Sequence, residues 1–296
     1  MRRPPPLTGS VSTDCLICCE LSSNGRAMKP RLLPDSAIAE EFKASPNHNE
    51  RRGFSRPDCV ILHYTGMPTG DAALAWLCNP ASEVSSHYFV WEDGRVLQLV
   101  AEDRRAWHAG RGLWKGQSDL NSASIGVEIV NPGHHLLSHD LPGHDLAGAG
   151  DPPPFPERQI DGVIALLRDI GARHHIAPER VLAHSDIAPA RKIDPGEKFP
   201  WETLWRAGVG HWTTPAPIGE AAVYRRGQEG PPIRALQALL ALYGYGVELT
   251  GVYDGQTQGV VAAFQRHFRP AQVDGEADPS TLATLRALID TLPPRR

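Results

Sequence analysis

The stretch SIGVEIVN, residues 124–131, is an apolar run with one charged side chain inside it. A strand's period of two places Ile125, Val127 and Ile129 on one side and Glu128 on the other. A carboxylate inside an apolar strand has a desolvation cost, so it requires a functional or structural reason. A lone glutamate of this kind can also be an edge or register feature of a sheet. The strand alone leaves both interpretations open.

Neighbouring segments predict more strands of the same sheet. DCVILHYTG, residues 58–66, is a β-branched run that ends at Thr-Gly, and alternation places His63 on the same face as Cys59 and Ile61. SSHYFVWEDGRVLQLV, residues 85–100, predicts a hairpin around Asp-Gly. RVLAH, residues 180–184, predicts a short strand.

Helical segments alternate with these strands. DAALAWLC, residues 71–78, predicts a helix capped by Asp71, and QIDGVIALLRDIGARH, residues 159–174, carries an apolar stripe of helical period. Alternating strands and helices predict an α/β domain with a mixed central sheet flanked by helices.

The C-terminal part of the chain has a different pattern. Three apolar helices separated by Asp-Gly turns predict a small three-helix domain, with Asp278 and Pro279 starting the last helix. We therefore expect an irregular segment at 1–44, the α/β domain at 45–206, a Gly/Pro/Thr-rich linker at 207–221 and the helical domain at 222–293. A fragment ending near Trp205 is then expected to fold alone.

Composition narrows the function classes. The 296 residues carry a net charge of −4, which gives no support for nucleic-acid binding, and no apolar run predicts a membrane span. The five cysteines form no disulfide or zinc framework and are expected to be thiols. The N-terminal segment lacks the continuous apolar core of a signal peptide.

A candidate metal site arises from the strand end at His63 and the loop HSDIAPARKIDPG, residues 184–196. Its prolines stiffen the loop, which presents His184, Lys192 and Asp194. Two imidazoles and a carboxylate suit catalytic zinc, which lowers the pKa of a bound water to ~7. Glu128 is the candidate general base and Lys192 the candidate oxyanion partner. Taken singly, each of these residues is more often structural, but their combination in three apolar contexts of one α/β domain favours the catalytic interpretation.

Other histidines compete with these candidates. A Gly/Pro-rich loop carries four that we expect to be solvent-exposed, namely His134, His135, His139 and His144. His174 and His175 are predicted at a helix end, where cations suit the dipole. Tyr64, His87 and His108 are candidates for lining a substrate groove.

Six motifs in order resemble the zinc-dependent N-acetylmuramoyl-L-alanine amidase family, in the branch of the anhydro-muropeptide amidases, which is related to peptidoglycan-recognition proteins. They are ILHYTG, SSHYFVWEDG, AWHAG, SIGVEIVN, FPERQI and HSDIAPARKIDPG, within residues 45–205. The resemblance implies zinc ligands His63, His184 and Asp194, and a catalytic pair Glu128 and Lys192. It implies cleavage of the amide between the lactyl group of N-acetylmuramic acid and L-alanine. The C-terminal domain is similar to a three-helix peptidoglycan-binding module, although HFRPAQVDG departs from its usual link.

Two alternatives stay open on sequence grounds: a non-catalytic peptidoglycan-recognition protein and a metallopeptidase that cleaves the stem peptide. The resemblance implies peptidoglycan or muropeptides as substrate, and we expect a monomer. A wall-binding module favours the cell envelope or periplasm, whereas the missing signal peptide favours the cytoplasm.

Overall fold

A central six-stranded sheet organises the α/β part of the protein. The computed structural model describes residues 33–134, 152–219 and 224–293. The sheet order is β1-β5-β4-β7-β3-β8, and β2 pairs separately with β6. The strands are β1 (Glu41–Phe42), β2 (His48–Glu50), β3 (Cys59–Tyr64), β4 (Tyr88–Val90), β5 (Val96–Gln98), β6 (Arg104–Ala106), β7 (Ser124–Ile129) and β8 (Val181–Ala183).

The sheet is mixed, as the sequence predicts. β7 pairs in parallel with both β3 and β4, while β4 and β5 form the antiparallel hairpin around the Asp-Gly turn. β7 is thus a central strand, and five of its six residues are buried. The edge-strand explanation for Glu128 is therefore excluded, because an edge strand has only one neighbour.

Helices pack on the sheet and close its connections. They are α1 (Gly70–Leu77), α2 (Leu120–Ala123), α3 (Glu157–His174), α4 (His184–Ile187) and α5 (Trp201–Arg206). The apolar stripe of α3 is buried, as expected from its period. The predicted cap of α1 is wrong: the Thr69 side chain accepts from the Ala72 N–H, and Asp71 lies inside the first turn. Among the described helices, none has the length and apolar character needed to cross a membrane.

Two predicted irregular segments contain regular structure. β1 lies inside the segment 1–44 that was expected to be irregular, and it pairs with β5 as an added parallel edge strand, while β2 follows shortly after this segment and pairs with β6. The loop HSDIAPARKIDPG, expected to be neither helix nor strand, begins with the single turn α4. Proline at 189 follows this turn and cannot continue it.

The C-terminal part consists of three helices, α6 (Pro231–Tyr243), α7 (Gly255–Phe268) and α8 (Pro279–Asp290). The Asp278 side chain accepts from the Thr281 N–H with Pro279 at the first helical position, which confirms the predicted start of α8. Asp254 caps α7 in the same way. The Asp-Gly and Asp-Pro steps therefore work as helix starts.

A shared core joins the three-helix part to the α/β part. One buried apolar cluster includes Trp114, Leu204 and Trp212 together with Tyr245 and Phe264, and the chain from Pro34 onward groups into one compact unit. The predicted linker takes part in this packing: the Ala216 N–H donates to Thr284 Oγ1 at 3.1 Å. Ala216 of the predicted linker is thus hydrogen-bonded to α8.

Candidate metal centre

Three donor atoms from separate elements meet at one end of the sheet. His63 lies near the carboxyl end of β3, His184 is the first residue of α4, and Asp194 lies ten residues further along the loop. His63 Nδ1 is 2.9 Å from His184 Nδ1 and 3.1 Å from Asp194 Oδ2, and His184 Nδ1 is 3.0 Å from the same oxygen. All three residues are buried. The structure thus brings together the three residues that the sequence proposes as ligands.

The proton positions around His63 follow from its hydrogen-bond partners. The Ser124 hydroxyl donates to the Leu120 carbonyl, so Ser124 Oγ can accept from His108 Nε2 at 3.1 Å. His108 Nδ1 is then the acceptor for His63 Nε2–H at 3.1 Å. This chain leaves His63 Nδ1 with a lone pair that faces the cluster.

His184 is oriented in the same sense. Its Nε2 lies 3.1 Å from the Ala109 carbonyl oxygen, which can only accept, so Nε2 carries the proton. Its Nδ1 therefore faces His63 and Asp194. Both imidazoles present the same ring nitrogen to one point, and their other nitrogens are held by the protein, as is usual for metal-bound histidines.

Charge and burial fix the ionisation of this cluster. Burial, followed by the neighbouring His184, lowers the pKa of His63 to about 4, so its ring is neutral at pH 7. Inward-facing nitrogens beside a carboxylate form a donor set that a divalent cation fits, and His/His/Asp is a set that zinc accepts.

Glu128 lies beside the cluster on the neighbouring strand. It is the register partner of His63 in the β3–β7 pairing, so both side chains project from the same side of the sheet. Burial, and then the charge of Asp194, raise the pKa of Glu128 to about 8, while Lys192 opposes this shift. Its Oε2 is buried and has no hydrogen-bond partner among the described residues. A buried carboxyl oxygen without a hydrogen-bond partner is typical of a functional position.

These groups open into one cleft of about 250 Å³. Lys192 and the three donors line it together with Glu128. Tyr64 and His108, two of the three predicted groove residues, also belong to its wall. Trp76, Trp107 and Met67 add an apolar side, and Trp76 is 48% exposed.

His87 does not line this cleft, contrary to the sequence-based expectation. It is fully buried behind the site, where its Nδ1 accepts from the Gly126 N–H at 3.0 Å. Its Nε2 lies 3.0 Å from the Arg104 carbonyl oxygen and 3.1 Å from Arg51 Nη2. These contacts make His87 a structural bridge between β7 of the six-stranded sheet and β6 of the two-stranded sheet.

The expectation that His134 is solvent-exposed is also wrong. Its side chain is 7% exposed and its Nε2 lies 3.0 Å from Glu197 Oε1. Its Nδ1 lies 3.3 Å from the Tyr64 hydroxyl at the cleft wall. The partner Glu197 follows the metal-site loop and could not be assigned from the histidine-rich loop alone. His135, His139 and His144 lie outside the described residues.

Sequence reasoning missed two kinds of residue. Trp76 and Trp107 line the cleft. Their position close to the predicted site motifs was the sequence feature that could have identified them as groove residues. Asp186 lies inside the quoted loop, yet nothing in its spacing distinguished it from a surface charge. The structure places it fully buried, with partners from the C-terminal helices.

Comparison with known proteins identifies the family to which this fold and site correspond. Residues 53–197 match the family model of N-acetylmuramoyl-L-alanine amidase, and residues 229–285 match a model for a peptidoglycan binding domain. The N-acetylmuramoyl-L-alanine amidase AmiD of Escherichia coli K12 is 37% identical over 258 residues, covering 85% of this chain and 89% of AmiD. The chain belongs to the N-acetylmuramoyl-L-alanine amidase family.

Other relatives and solved structures agree with this assignment. The 1,6-anhydro-N-acetylmuramyl-L-alanine amidase AmpD of Enterobacter cloacae is 28% identical, covering 53% of this chain and 83% of AmpD. The structure of E. coli AmiD with anhydro-N-acetylmuramic acid-L-Ala-D-gamma-Glu-L-Lys superposes with a TM-score of 0.65 at 34% identity, covering 91% of this chain and 96% of AmiD. AmpDh3 of Pseudomonas aeruginosa with anhydromuramic pentapeptide gives 0.64 at 29% identity, covering 86% and 98%.

Proposed function

We propose that the protein is a zinc-dependent amidase that hydrolyses the bond between N-acetylmuramic acid and L-alanine in muropeptides or peptidoglycan. The observation that carries the proposal is the three-donor cluster of His63, His184 and Asp194 beside the unpaired carboxyl of Glu128 in one cleft. Membership in the amidase family supports the choice of scissile bond.

The proposed metal ligands are the two Nδ1 atoms and Asp194 Oδ2. A zinc ion held by these three atoms would supply a water of lowered pKa and a Lewis acid for the substrate carbonyl. The His108–Ser124 chain keeps the lone pair of His63 turned inward. The Ala109 carbonyl does the same for His184.

Glu128 is the proposed general base and acid. A carboxyl with a raised pKa can take a proton from the attacking water and return it to the leaving L-alanine nitrogen. A nearby dication lowers the pKa of a carboxyl, so the base form is available at neutral pH once the site is loaded.

Lys192 is the proposed partner of the developing oxyanion. It lines the cleft next to Asp194, and its charge is close enough to lower the pKa of Glu128. A fixed cation in a partly dry cleft stabilises a growing negative charge more than it would in water. Since a recognition protein needs neither Glu128 nor Lys192 in this arrangement, their presence favours catalysis.

The cleft wall suits a sugar-peptide ligand. The Trp76 and Trp107 indoles give the cleft that holds the metal donors an apolar part of its wall. AmiD and AmpDh3 have been solved with anhydromuramic peptides, which supports a muropeptide as substrate of this chain. The C-terminal helices, which match a peptidoglycan binding domain, are proposed to hold the enzyme on the wall polymer.

Metal dependence tests this proposal. Purified protein should contain one zinc per chain, and hydrolysis of a soluble anhydro-muropeptide should stop after chelation and return on addition of zinc. The His63→Ala variant should contain no zinc at all. Full activity of the chelated, metal-free wild type would overturn the assignment.

A further inference from the structure

Asp186 connects the metal-site loop to the C-terminal helices. It lies in α4, two residues after His184, and is fully buried. Its Oδ2 accepts from the Ala183 backbone N–H at 2.8 Å, which closes the start of α4. Its other partners lie more than fifty residues further along the chain: Tyr245 donates its hydroxyl to Oδ1 at 2.7 Å, and His267 Nδ1 lies 2.7 Å from Oδ2.

The turn that Asp186 closes also positions two of the three proposed metal ligands, His184 and Asp194. His184 is its first residue, and the Ala188 N–H donates to the His184 carbonyl at 3.1 Å. The Ser185 N–H donates to the Asp194 carbonyl at 3.0 Å. A shift of α4 therefore moves His184 and Asp194 relative to His63, which is fixed independently in β3.

Tyr245 and His267, the two hydrogen-bond donors to Asp186, are themselves held by aromatic packing. The His267 ring stacks on Trp201 of α5 at 3.7 Å and on Phe268 at 3.8 Å. Tyr245 packs edge-on against the buried Trp114 at 5.0 Å. Preorganised donors of this kind satisfy a buried carboxylate at low cost.

The loss of one of these donors has a predictable effect. A buried carboxylate that loses a hydrogen-bond donor must recover water or another partner, because an unsatisfied buried charge is strongly unfavourable. Asp186 has no exposed surface in its present position, so rehydration requires α4 to move.

We propose that Tyr245 and His267 are positioning residues for the metal centre, so that the C-terminal module completes the zinc site through Asp186. The inference rests on the proposed zinc amidase function and extends it. The module then has a second role besides wall attachment. Neither Tyr245 nor His267 lines the catalytic cleft, and their hydrogen bonds to the metal-site loop go to Asp186.

The test compares two buried Tyr→Phe changes in the full-length chain. Tyr245→Phe removes the donor to Asp186, whereas Tyr253→Phe removes a hydroxyl that donates to the Gly275 carbonyl at 2.7 Å inside the module. Zinc affinity is measured by competition with a chromophoric chelator. Tyr245→Phe should bind zinc roughly tenfold more weakly, and Tyr253→Phe should match the wild type.

Kinetics separate positioning from general damage. For Tyr245→Phe, turnover of a soluble muropeptide at limiting zinc should fall, recover at saturating zinc, and leave KM and sacculus binding unchanged. A second pair of variants tests His267. His267→Asn keeps an N–H donor and should retain zinc. His267→Phe keeps an aromatic ring but loses the donor, and its zinc affinity should fall.

Equal zinc affinity of Tyr245→Phe and Tyr253→Phe would overturn the inference while leaving the amidase proposal intact. An equal loss in His267→Asn and His267→Phe would do the same, because only the donor distinguishes them in the proposal. A wild type that holds no zinc in the same assay would instead overturn the proposed function itself.

Discussion

His63 and Glu128 face each other across the parallel pairing of β3 and β7. Register partners in a sheet project to the same side, so strand pairing alone places a metal donor and a buried carboxyl in one cleft. A slip of one residue would turn one of them to the opposite face. The proposed chemistry therefore depends on the register of two central strands.

Glu128→Gln should keep the fold and zinc binding but lose turnover. The amide is isosteric but cannot accept the proton from water, and general acid–base catalysis is worth about 10²–10⁴-fold. Zinc content and kcat on a soluble muropeptide are measured for both proteins. Glu92→Gln, at an exposed turn position, is the control and should behave as wild type. Wild-type kcat in Glu128→Gln would assign the base elsewhere.

Glu128 should also make the metal-free protein less stable as pH rises. Its pKa in the folded protein is about 8 against an ordinary 4.5, so the folded state binds more protons within this window. The stabilisation is complete below pH 4.5 and is lost as pH rises to 8. The stability of Glu128→Gln relative to wild type should increase by about 1.4 kcal/mol per pH unit. Urea unfolding of chelated proteins between pH 5 and 8 measures this, and a constant difference would contradict it.

Ser124→Ala should weaken zinc binding, because Ser124 orients His63 through hydrogen bonds by way of His108. Without the hydroxyl, His108 Nε2 has no acceptor, and the tautomer that holds His63 Nε2–H is no longer selected. Loss of such an outer partner typically costs about 10–100-fold in metal affinity. Ser86→Ala is the matched control. The Ser86 hydroxyl is also buried, but it donates to the Tyr88 carbonyl and takes no part in the hydrogen bonds that link Ser124, His108 and His63. Equal zinc affinities in the two variants would refute this role.

Gly244→Ala should destabilise the junction between the α/β part and the C-terminal helices. A Cβ at this position would lie 2.7 Å from the Trp114 ring, and the backbone φ of +152° is unfavourable for other residues. We expect a loss of about 2 kcal/mol or more in the free energy of unfolding. Gly171→Ala, at an open position in the last turn of α3, should be neutral or slightly stabilising. Chemical denaturation of the Gly244→Ala and Gly171→Ala variants measures this difference. Equal unfolding midpoints would contradict the close contact between Gly244 and the Trp114 ring.

That a fragment ending near Trp205 folds alone stays a prediction, and the packing around Trp114 and Asp186 bears on it directly. Such a fragment would expose Trp114, which is buried against Tyr243 and Tyr245, and would leave Asp186 without two donors. Composition marked residues 207–221 as a linker because Gly, Pro and Thr are common there. Composition does not report packing against distant helices, and the domain boundaries themselves stay predictions.

Local patterns predicted the elements well where one physical rule dominates. The alternation in SIGVEIVN, the Asp-Gly hairpin and the Asp278–Pro279 helix start are all present in the structure. The start of α1 was misassigned because Thr69 and Asp71 are both acceptable caps, and only the backbone decides between them.

Long-range partners explain what the sequence could not predict. His87 and His108 are both flanked by small and aromatic residues, yet one bonds inside the sheet and the other reaches His63. The His134 side chain is largely buried beside Glu197, which lies 63 residues away in sequence. Such contacts depend on the fold and leave no local pattern.

Product analysis by mass spectrometry tests the central claim most directly. Zinc-loaded protein is incubated with soluble anhydro-muropeptides and, separately, with intact sacculi, using Glu128→Gln as the control. The account predicts free stem peptides that begin with L-alanine, formed by the wild type and not by the variant. Cleavage within the stem peptide, or binding to sacculi without any product, would contradict the amidase assignment.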